Sequence, residues 1–286
     1  MNTVDSKCFE RSLTTSDGLS LNLGVCFHDA KEWIVVTHGI GEHFNRHLYM
    51  KHLFTPDFNI LFYDLRGHGK SGGKRAYVQH FDRYIQDLRE VIECLKKELF
   101  PSLGGDKFYL MGHSMGALIT MAYLQTQPGP MYYPEKVFVN APPLGIPGFL
   151  GSLVRFLPMS LLAKIPFSLP LKGLVDLKWL SPNPEVATEY IKDPLNCLKL
   201  HTKTVFAMLN KGREIASRPL EARCPVLITV GSLDKIVDPV AIQAYAASLG
   251  PDIHLEVIHG AYHEIHNCPD DIRTTYFTFL SDFFRK

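Results

Sequence analysis

Ser114 stands in Gly112-His113-Ser114-Met115-Gly116, after a strand-like run from Lys107 to Met111 and before a helix-like run from Ala117 to Gln125. A serine at such a strand-to-helix corner reads as a nucleophile elbow, where flanking residues must be small because the two backbones approach closely. Gly112 and Gly116 meet that need. A serine hydroxyl is a poor nucleophile at neutral pH, so it requires a histidine to take its proton and an acid to hold that histidine in the right tautomer. Downstream, Gly231-Ser232-Leu233-Asp234 follows a strand-like run. This places Asp234 in a loop at a strand's carboxyl end, where open parallel sheets gather their sites. Asp238 is the competing acid, but it precedes Pro239 at a helix start, and an N-cap role accounts for it. Three histidines, His259, His263 and His266, follow the last strand-like run. Position alone does not select among them, although His259 sits near the strand end and His266 near the following helix. Those that do not reach Ser114 are expected to be polar surface residues.

The tetrahedral intermediate of acyl transfer needs preorganised N–H donors for its oxyanion. One is expected from the residue after the nucleophile, Met115, and the other from an early loop. Thr37-His38-Gly39-Ile40-Gly41 matches that loop, which makes the Ile40 N–H the second donor. A helix starting near Met115 adds the positive end of its dipole. His38, His43 and His68 lie in glycine-rich loops, where orienting the loop explains them better than catalysis or metal binding. Asp64, close to Arg66, reads as half of a loop-fixing ion pair.

These residues need a scaffold, and the chain supplies alternating elements. Apolar runs at Trp33–Thr37, Asn59–Tyr63, Phe108–Met111, Val137–Val139, Val226–Val230 and His254–Ile258 read as strands buried on both faces. Helix candidates lie between them. Phe81 to Lys97 carries Leu88, Val91, Ile92 and Leu95 on one face, and Pro239 to Ser248 follows Asp238 as N-cap. The alternation predicts an α/β fold, a mostly parallel central sheet with helices on both faces. Cys8–Thr14 and Leu19–Cys26 flank Thr15-Ser16-Asp17-Gly18 and read as an antiparallel hairpin. From Ala141 to Arg223 no strong strand signal occurs, and the stretch exceeds what one crossover needs. The expected division is a core of residues 1–140 and 224–286 and an inserted helical cap of residues 141–223.

The chain has 286 residues, 46% of them hydrophobic and 21% charged, with a formal net charge of +1. Such a balance without basic runs excludes a nucleic-acid partner, because counterion release needs clustered Lys and Arg. Six cysteines without a C-x-x-C pair favour free thiols over a disulfide framework and give no support to a zinc site. The polar start of the chain, with Asp5, lacks the basic and apolar regions of a secretion signal, so a cytoplasmic location is expected. Arg155, Pro158, Lys164 and Pro166 interrupt the most apolar stretch, Gly148 to Leu169, so no membrane span is expected.

His38-Gly-Ile-Gly-Glu-His43, Tyr63-Asp-Leu-Arg-Gly-His-Gly-Lys-Ser71, Gly112-His-Ser-Met-Gly116, Asp234 in Gly-Ser-Leu-Asp, and Tyr262-His263-Glu264 together resemble the monoacylglycerol lipase and lysophospholipase family of α/β hydrolases. The resemblance covers nearly the whole chain. Leu180-Ser-Pro-Asn-Pro-Glu-Val186, Tyr190 and Asp193-Pro-Leu195 are similar to the family's cap segment, whereas Leu144 to Leu174 matches no family pattern. The resemblance selects His263 as the base, so the set is Ser114, Asp234 and His263, in the chain order of α/β hydrolases rather than of chymotrypsin or subtilisin.

The family implies an ester hydrolase that acts on single-chain lipids, without cofactor or metal and without an obligate protein partner. Phe149, Leu150, Leu153, Val154, Phe156, Leu157, Leu161 and Leu162, with Arg155 and Lys164 nearby, form an amphipathic stretch. It suits peripheral contact with a lipid surface, or equally packing of the cap and lining of an acyl pocket. Two other functions fit the fold: an esterase or thioesterase on small soluble substrates or peptides, and a non-catalytic binder of hydrophobic ligands.

Overall fold

A computed structural model describes residues 7–148, 151, 154 and 156–286. The strands are β1 (Lys7–Thr14), β2 (Ser20–Phe27), β3 (Glu32–Thr37), β4 (Phe58–Tyr63), β5 (Lys107–His113), β6 (Val137–Asn140), β7 (Pro170–Lys172), β8 (Lys199–His201), β9 (Val226–Gly231) and β10 (Ile253–Ile258). Eight of them form one sheet in the order β1-β2-β4-β3-β5-β6-β9-β10. From β4 to β10 all neighbours are parallel; β2 runs antiparallel to both β1 and β4. Helices pack on both faces of this mostly parallel sheet, as the alternation of elements predicts, and the architecture is the α/β-hydrolase fold that the resemblance implies.

The continuous apolar runs follow from that layering, because alternate residues of a strand face opposite sides. Val35, Leu110, Val139 and Ile228 point into one core with Leu88, Val91 and Ile92 of the helix Asp82–Cys94 and with the helix Met115–Gln125. Ile34, Val36, Met111, Phe138 and Leu227 point into the other, against Met50 and Phe54 of the helix Tyr49–Phe54 and Tyr276, Leu280 and Phe284 of the helix Asp270–Arg285. Cutting back any of these fully buried aliphatic side chains to Ala is expected to cost about 2–5 kcal/mol. One expectation of two-faced burial fails. β10 is the sheet's edge, and His254 and Val257 are exposed, because among the described residues no further strand pairs beyond it.

The hairpin forms, and its register corrects the expectation of six free thiols. Cys8 lies directly opposite Cys26 across β1 and β2, and the two are disulfide-bonded, while Cys94, Cys197, Cys224 and Cys268 are free and buried. Local cysteine spacing cannot reveal a pair created by antiparallel register.

Between β6 and β9 the described residues contain the short helix Met159–Leu162, the helix Pro184–Lys192 and the helix Thr202–Ala216. They also contain an antiparallel ribbon of β7 and β8, where no strand is expected from the sequence. Three-residue strands are too short to show periodicity, and β7 begins at a proline. Ala207 and Ile215 of the helix Thr202–Ala216 are buried in the sheet's own core, so the end of this segment is anchored below the site. Among the described residues no helix is long and apolar enough to cross a membrane. Phe149, Leu150, Leu153 and Arg155 of the amphipathic stretch lie outside the described residues.

Candidate active site

The nucleophile corner forms as the glycines require. Ser114 has φ 54° and ψ −120°, a conformation that L-residues rarely adopt, between the end of β5 and the helix starting at Met115. A Cβ on Gly112 would lie 2.6 Å from the Gly116 carbonyl oxygen, and one on Gly116 would lie 2.1 Å from that of Thr37. The corner is locked to the next strand, since the Ser114 N–H donates to the Asn140 carbonyl at 2.8 Å.

His263 brings Nε2 to 3.0 Å from Ser114 Oγ and Nδ1 to 2.7 Å from Asp234 Oδ2. The other Asp234 oxygen accepts the Ile236 and Val237 N–H groups at 2.8 and 3.0 Å. All three side chains are buried. β5, β9 and β10 are parallel, so the loops after them emerge at one end of the sheet, and residues far apart in the chain meet there. Burial opposes a charge on the His263 ring. The Asp234 carboxylate and its hydrogen bond, with Glu264 and Glu42 farther off, outweigh that effect and raise the pKa above the usual 6.5. The geometry suits accepting a proton from the hydroxyl and holding it as an imidazolium.

β3 pairs beside β5, with Thr37 opposite Gly112, so the loop after β3 lies against the elbow. Ile40 lines the same cavity as Ser114 and His263, and Met115 is the first residue of the elbow helix. Glu42, which the residue types did not single out, accepts the Gly39 N–H and fixes the loop's path. Burial alone would raise the Glu42 carboxyl, but His47, His113 and Arg46 hold it well below the ordinary carboxylate value.

The remaining assignments divide. Asp238 caps its helix through Val240 N–H at 3.0 Å. His38 fixes its loop, its Nδ1 bonding to the Gly39 carbonyl while Nε2 accepts the Leu65 N–H at 2.9 Å. His68 bonds to the Arg66 carbonyl at 2.9 Å, and His43 to Asp193 at 2.8 Å. The expected Asp64–Arg66 pair does not form. Arg66 turns to Asp87 at 2.6 Å and Asp17 at 3.0 Å, whereas Asp64 accepts N–H groups of Phe44 and Lys70 at 3.0 and 2.8 Å. A carboxylate surrounded by loop amides needs no cation. His259 is exposed, but His266 is fully buried and stacked on Tyr49, which corrects the expectation of a surface residue. A short 3-10 turn at Ile265–Asn267 directs it inward.

The cavity over Ser114 has a volume of about 620 Å³. Leu174, Leu177, Ile191, Leu198 and Ile236 give it apolar walls, while Glu42, Tyr190 and Glu264 stand at its polar side. Part of this wall is held against the His263 loop. The Trp179 and Leu180 carbonyls accept the His263 and Glu264 N–H groups at 3.3 and 2.7 Å, and the Trp179 and Tyr262 rings are 5.3 Å apart. Of these residues, Glu42, Tyr190 and Glu264 fall inside the sequence patterns quoted for the family, but only packing shows what they touch. Among the described residues no three His, Cys, Asp or Glu side chains are grouped as a metal site requires.

The family pattern described as "Serine aminopeptidase, S33" matches residues 28–270. The monoacylglycerol lipase of Mycolicibacterium smegmatis is 30% identical over 85% of this chain and 84% of its own. Among solved structures, the monoacylglycerol lipase of Paleococcus ferrophilus superposes with a TM-score of 0.72 at 26% identity, covering 97% of this chain and 98% of its own. The monoglyceride lipase of Saccharomyces cerevisiae superposes with a TM-score of 0.81 at 18% identity, covering 99% and 96%, a likeness of fold. The elbow, the loops gathered at one end of the sheet and these matches converge: the chain belongs to the S33-type serine hydrolase family of α/β hydrolases and is related to the monoacylglycerol lipases.

Proposed function

We propose that this protein hydrolyses carboxylic esters of single-chain lipids, monoacylglycerols or lysophospholipids, through an acyl-enzyme. Ser114 attacks the ester carbonyl while His263 Nε2 takes its proton and Asp234 stabilises the imidazolium. The Ile40 and Met115 N–H groups hold the oxyanion. The alcohol leaves with the proton from His263, and water, deprotonated by the same histidine, cleaves the acyl-enzyme. The observation that carries this reading is the Ser114–His263–Asp234 chain of hydrogen bonds, at 3.0 and 2.7 Å, under a cavity with apolar walls. An acyl chain would lie along Leu174, Leu177, Ile191 and Leu198.

In this reading residues 141–223 act as the cap and residues 1–140 with 224–286 as the catalytic core. Phe156, Leu161, Ile165 and Phe167 are exposed on the cap, with Lys164 exposed among them. Apolar side chains beside a cation suit a lipid surface, from which the substrate would be drawn.

The test is a panel of monoacylglycerols, lysophospholipids, short soluble esters and aminoacyl anilides, ranked by kcat/KM, with Ser114→Ala beside the wild type. Single-chain lipid esters are expected to rank first, and Ser114→Ala is expected to lower kcat about a millionfold. Preferred cleavage of anilides or short esters, or near-wild-type hydrolysis by Ser114→Ala, would overturn the proposal.

A further inference from the structure

We infer that β10 is an interaction surface for a second copy of this chain: two β10 edges pair antiparallel about a two-fold axis at Leu255 and join two sheets into one. The inference does not depend on what Ser114 hydrolyses.

β10 is paired on one side only, with β9, residue for residue from Ile253 opposite Val226 to Ile258 opposite Gly231. The Val226 N–H donates to the Asp252 carbonyl at 2.9 Å, and the Ser232 N–H to the Ile258 carbonyl at 3.0 Å. In a parallel ladder alternate residues of a strand face the neighbour, so Asp252, His254, Glu256 and Ile258 turn their backbone groups to β9. Ile253, Leu255 and Val257 turn theirs outward. The Ile253 N–H bonds to the Gly250 carbonyl at 3.1 Å. Among the described residues nothing takes up the N–H and C=O groups of Leu255 and Val257 or the Ile253 carbonyl.

An edge in this state is a template for another strand unless it is guarded by charge, proline or a bulge. The opposite edge of the sheet is guarded: on β1, Glu10 pairs with Lys70 and Arg11 with Glu98. β10 carries no Lys, Pro or bulge.

The order Ile253-His254-Leu255-Glu256-Val257 is complementary to itself when reversed about Leu255. In that register each Leu255 N–H donates to the Leu255 carbonyl of the other copy, and each Val257 N–H to the other's Ile253 carbonyl. His254 then stands opposite Glu256 of the second copy. This is a non-hydrogen-bonded position, where Cα atoms are about 4.5 Å apart and side chains are closest. There an imidazole N–H donates to the carboxylate. On the other face of the sheet Leu255 meets Leu255, and Ile253 meets Val257. Ile253 and Leu255 are only partly buried in the single chain, and Val257 is 38% exposed. Moving the axis by one residue sets Glu256 against Asp252 or against Glu256, so like charges disfavour those registers. Two-fold symmetry makes the favourable pair occur twice, which singles out a second copy over an unrelated strand.

The test is sedimentation velocity of the full chain over about a hundredfold range of concentration, where the mass is expected to rise from 32.3 kDa toward twice that value. Over the same range, hydrogen exchange should slow at the Leu255 and Val257 amides and stay unchanged at His254 and Glu256, which are already bonded to β9. His254→Glu sets carboxylate against carboxylate at both symmetric positions and should raise the dimer dissociation constant about tenfold or more. The double variant His254→Glu with Glu256→His exchanges the partners, rebuilds the pair and should return the constant to within about threefold of the wild type. Loss of folding is not repaired by such an exchange, so the rescue reports pairing rather than stability. A monomer at every concentration overturns the inference. So does a dimer that His254→Glu leaves intact, one that the double variant fails to restore, or one that leaves Leu255 and Val257 unprotected.

Discussion

Asp234 gives His263 both an orientation and a charge preference, and the two can be separated by experiment. Its Oδ2 fixes the ring at 2.7 Å while its own position is held by two amides, so the tautomer that leaves Nε2 free to accept is built in. Burial would push the ring's pKa down, and the carboxylate turns that into a rise above 6.5. A base must be neutral, so kcat/KM is expected to fall as pH drops through this raised value. The acid limb of the wild-type profile should then lie above about pH 6.5. Asp234→Asn removes the charge while keeping a similar shape, so burial is less opposed. The acid limb should move to lower pH and kcat should fall about ten-thousandfold through the wrong tautomer. Profiles between pH 5 and 9 decide it, and an acid limb that stays in place in Asp234→Asn would contradict the assignment. At this scale the sequence is legible where a motif states a role: Ser114 in its elbow, Asp238 before Pro239. It is not legible for Asp64, whose partners are loop amides, nor for His266, whose burial depends on a turn.

At the scale of elements, the site depends on how closely β3, β5 and the helix Met115–Gln125 approach. Gly116 is the point of closest approach, since an added Cβ would lie 2.1 Å from the Thr37 carbonyl oxygen and 2.5 Å from that of His38. Both of those atoms are backbone, so the strain cannot be relieved by a side-chain rotation. Gly116→Ala is expected to cost about 3 kcal/mol or more, the upper end of overpacking penalties, and to displace the Gly39–Gly41 loop from Ser114. Urea unfolding measures the first effect, and turnover of a short ester by the folded fraction measures the second; wild-type values in both would refute the packing argument. The strands were readable because both sheet faces are covered, which makes Trp33–Thr37 and Asn59–Tyr63 continuously apolar. β7 and β8 were not, because a strand of three residues carries no period and its pairing partner lies beyond an intervening helix.

The whole molecule buries an unusual set of neutral histidines under the carboxyl ends of the strands. Burial lowers the pKa of His38 to about 4 and of His68 to about 3, and holds His113 and His266 well below the ordinary value. Unfolded, each titrates near 6.5, so below that pH the unfolded chain binds more protons than the folded one. Stability is therefore expected to fall between pH 7.5 and 5, by about 2 kcal/mol at pH 5 for each of His38 and His68, with His113 and His266 acting in the same direction. His263 acts in the opposite sense: its contribution is fully present below the unfolded value and is lost as pH rises through its raised folded value. Four groups against one leave a net loss toward acid. Urea unfolding at pH 5 and 7.5 tests the balance, and equal stability at the two would show that these histidines are protonated in the fold.

By itself the sequence determined the alternation of strands and helices, the elbow around Ser114, the loop that carries Asp234 and the early glycine loop beside them. Each of these is written in local terms, as a period, a cap or a glycine where a backbone must pass. Resemblance narrowed three histidines to His263, a choice that spacing left open. Only the tertiary structure decided that His266 is buried and that Cys8 faces Cys26. It alone showed that Arg46 is shared by Glu42 and Glu264. Those are properties of register and of packing between loops from different strands. No local pattern encodes them, because the partners are brought together by the sheet and not by the chain.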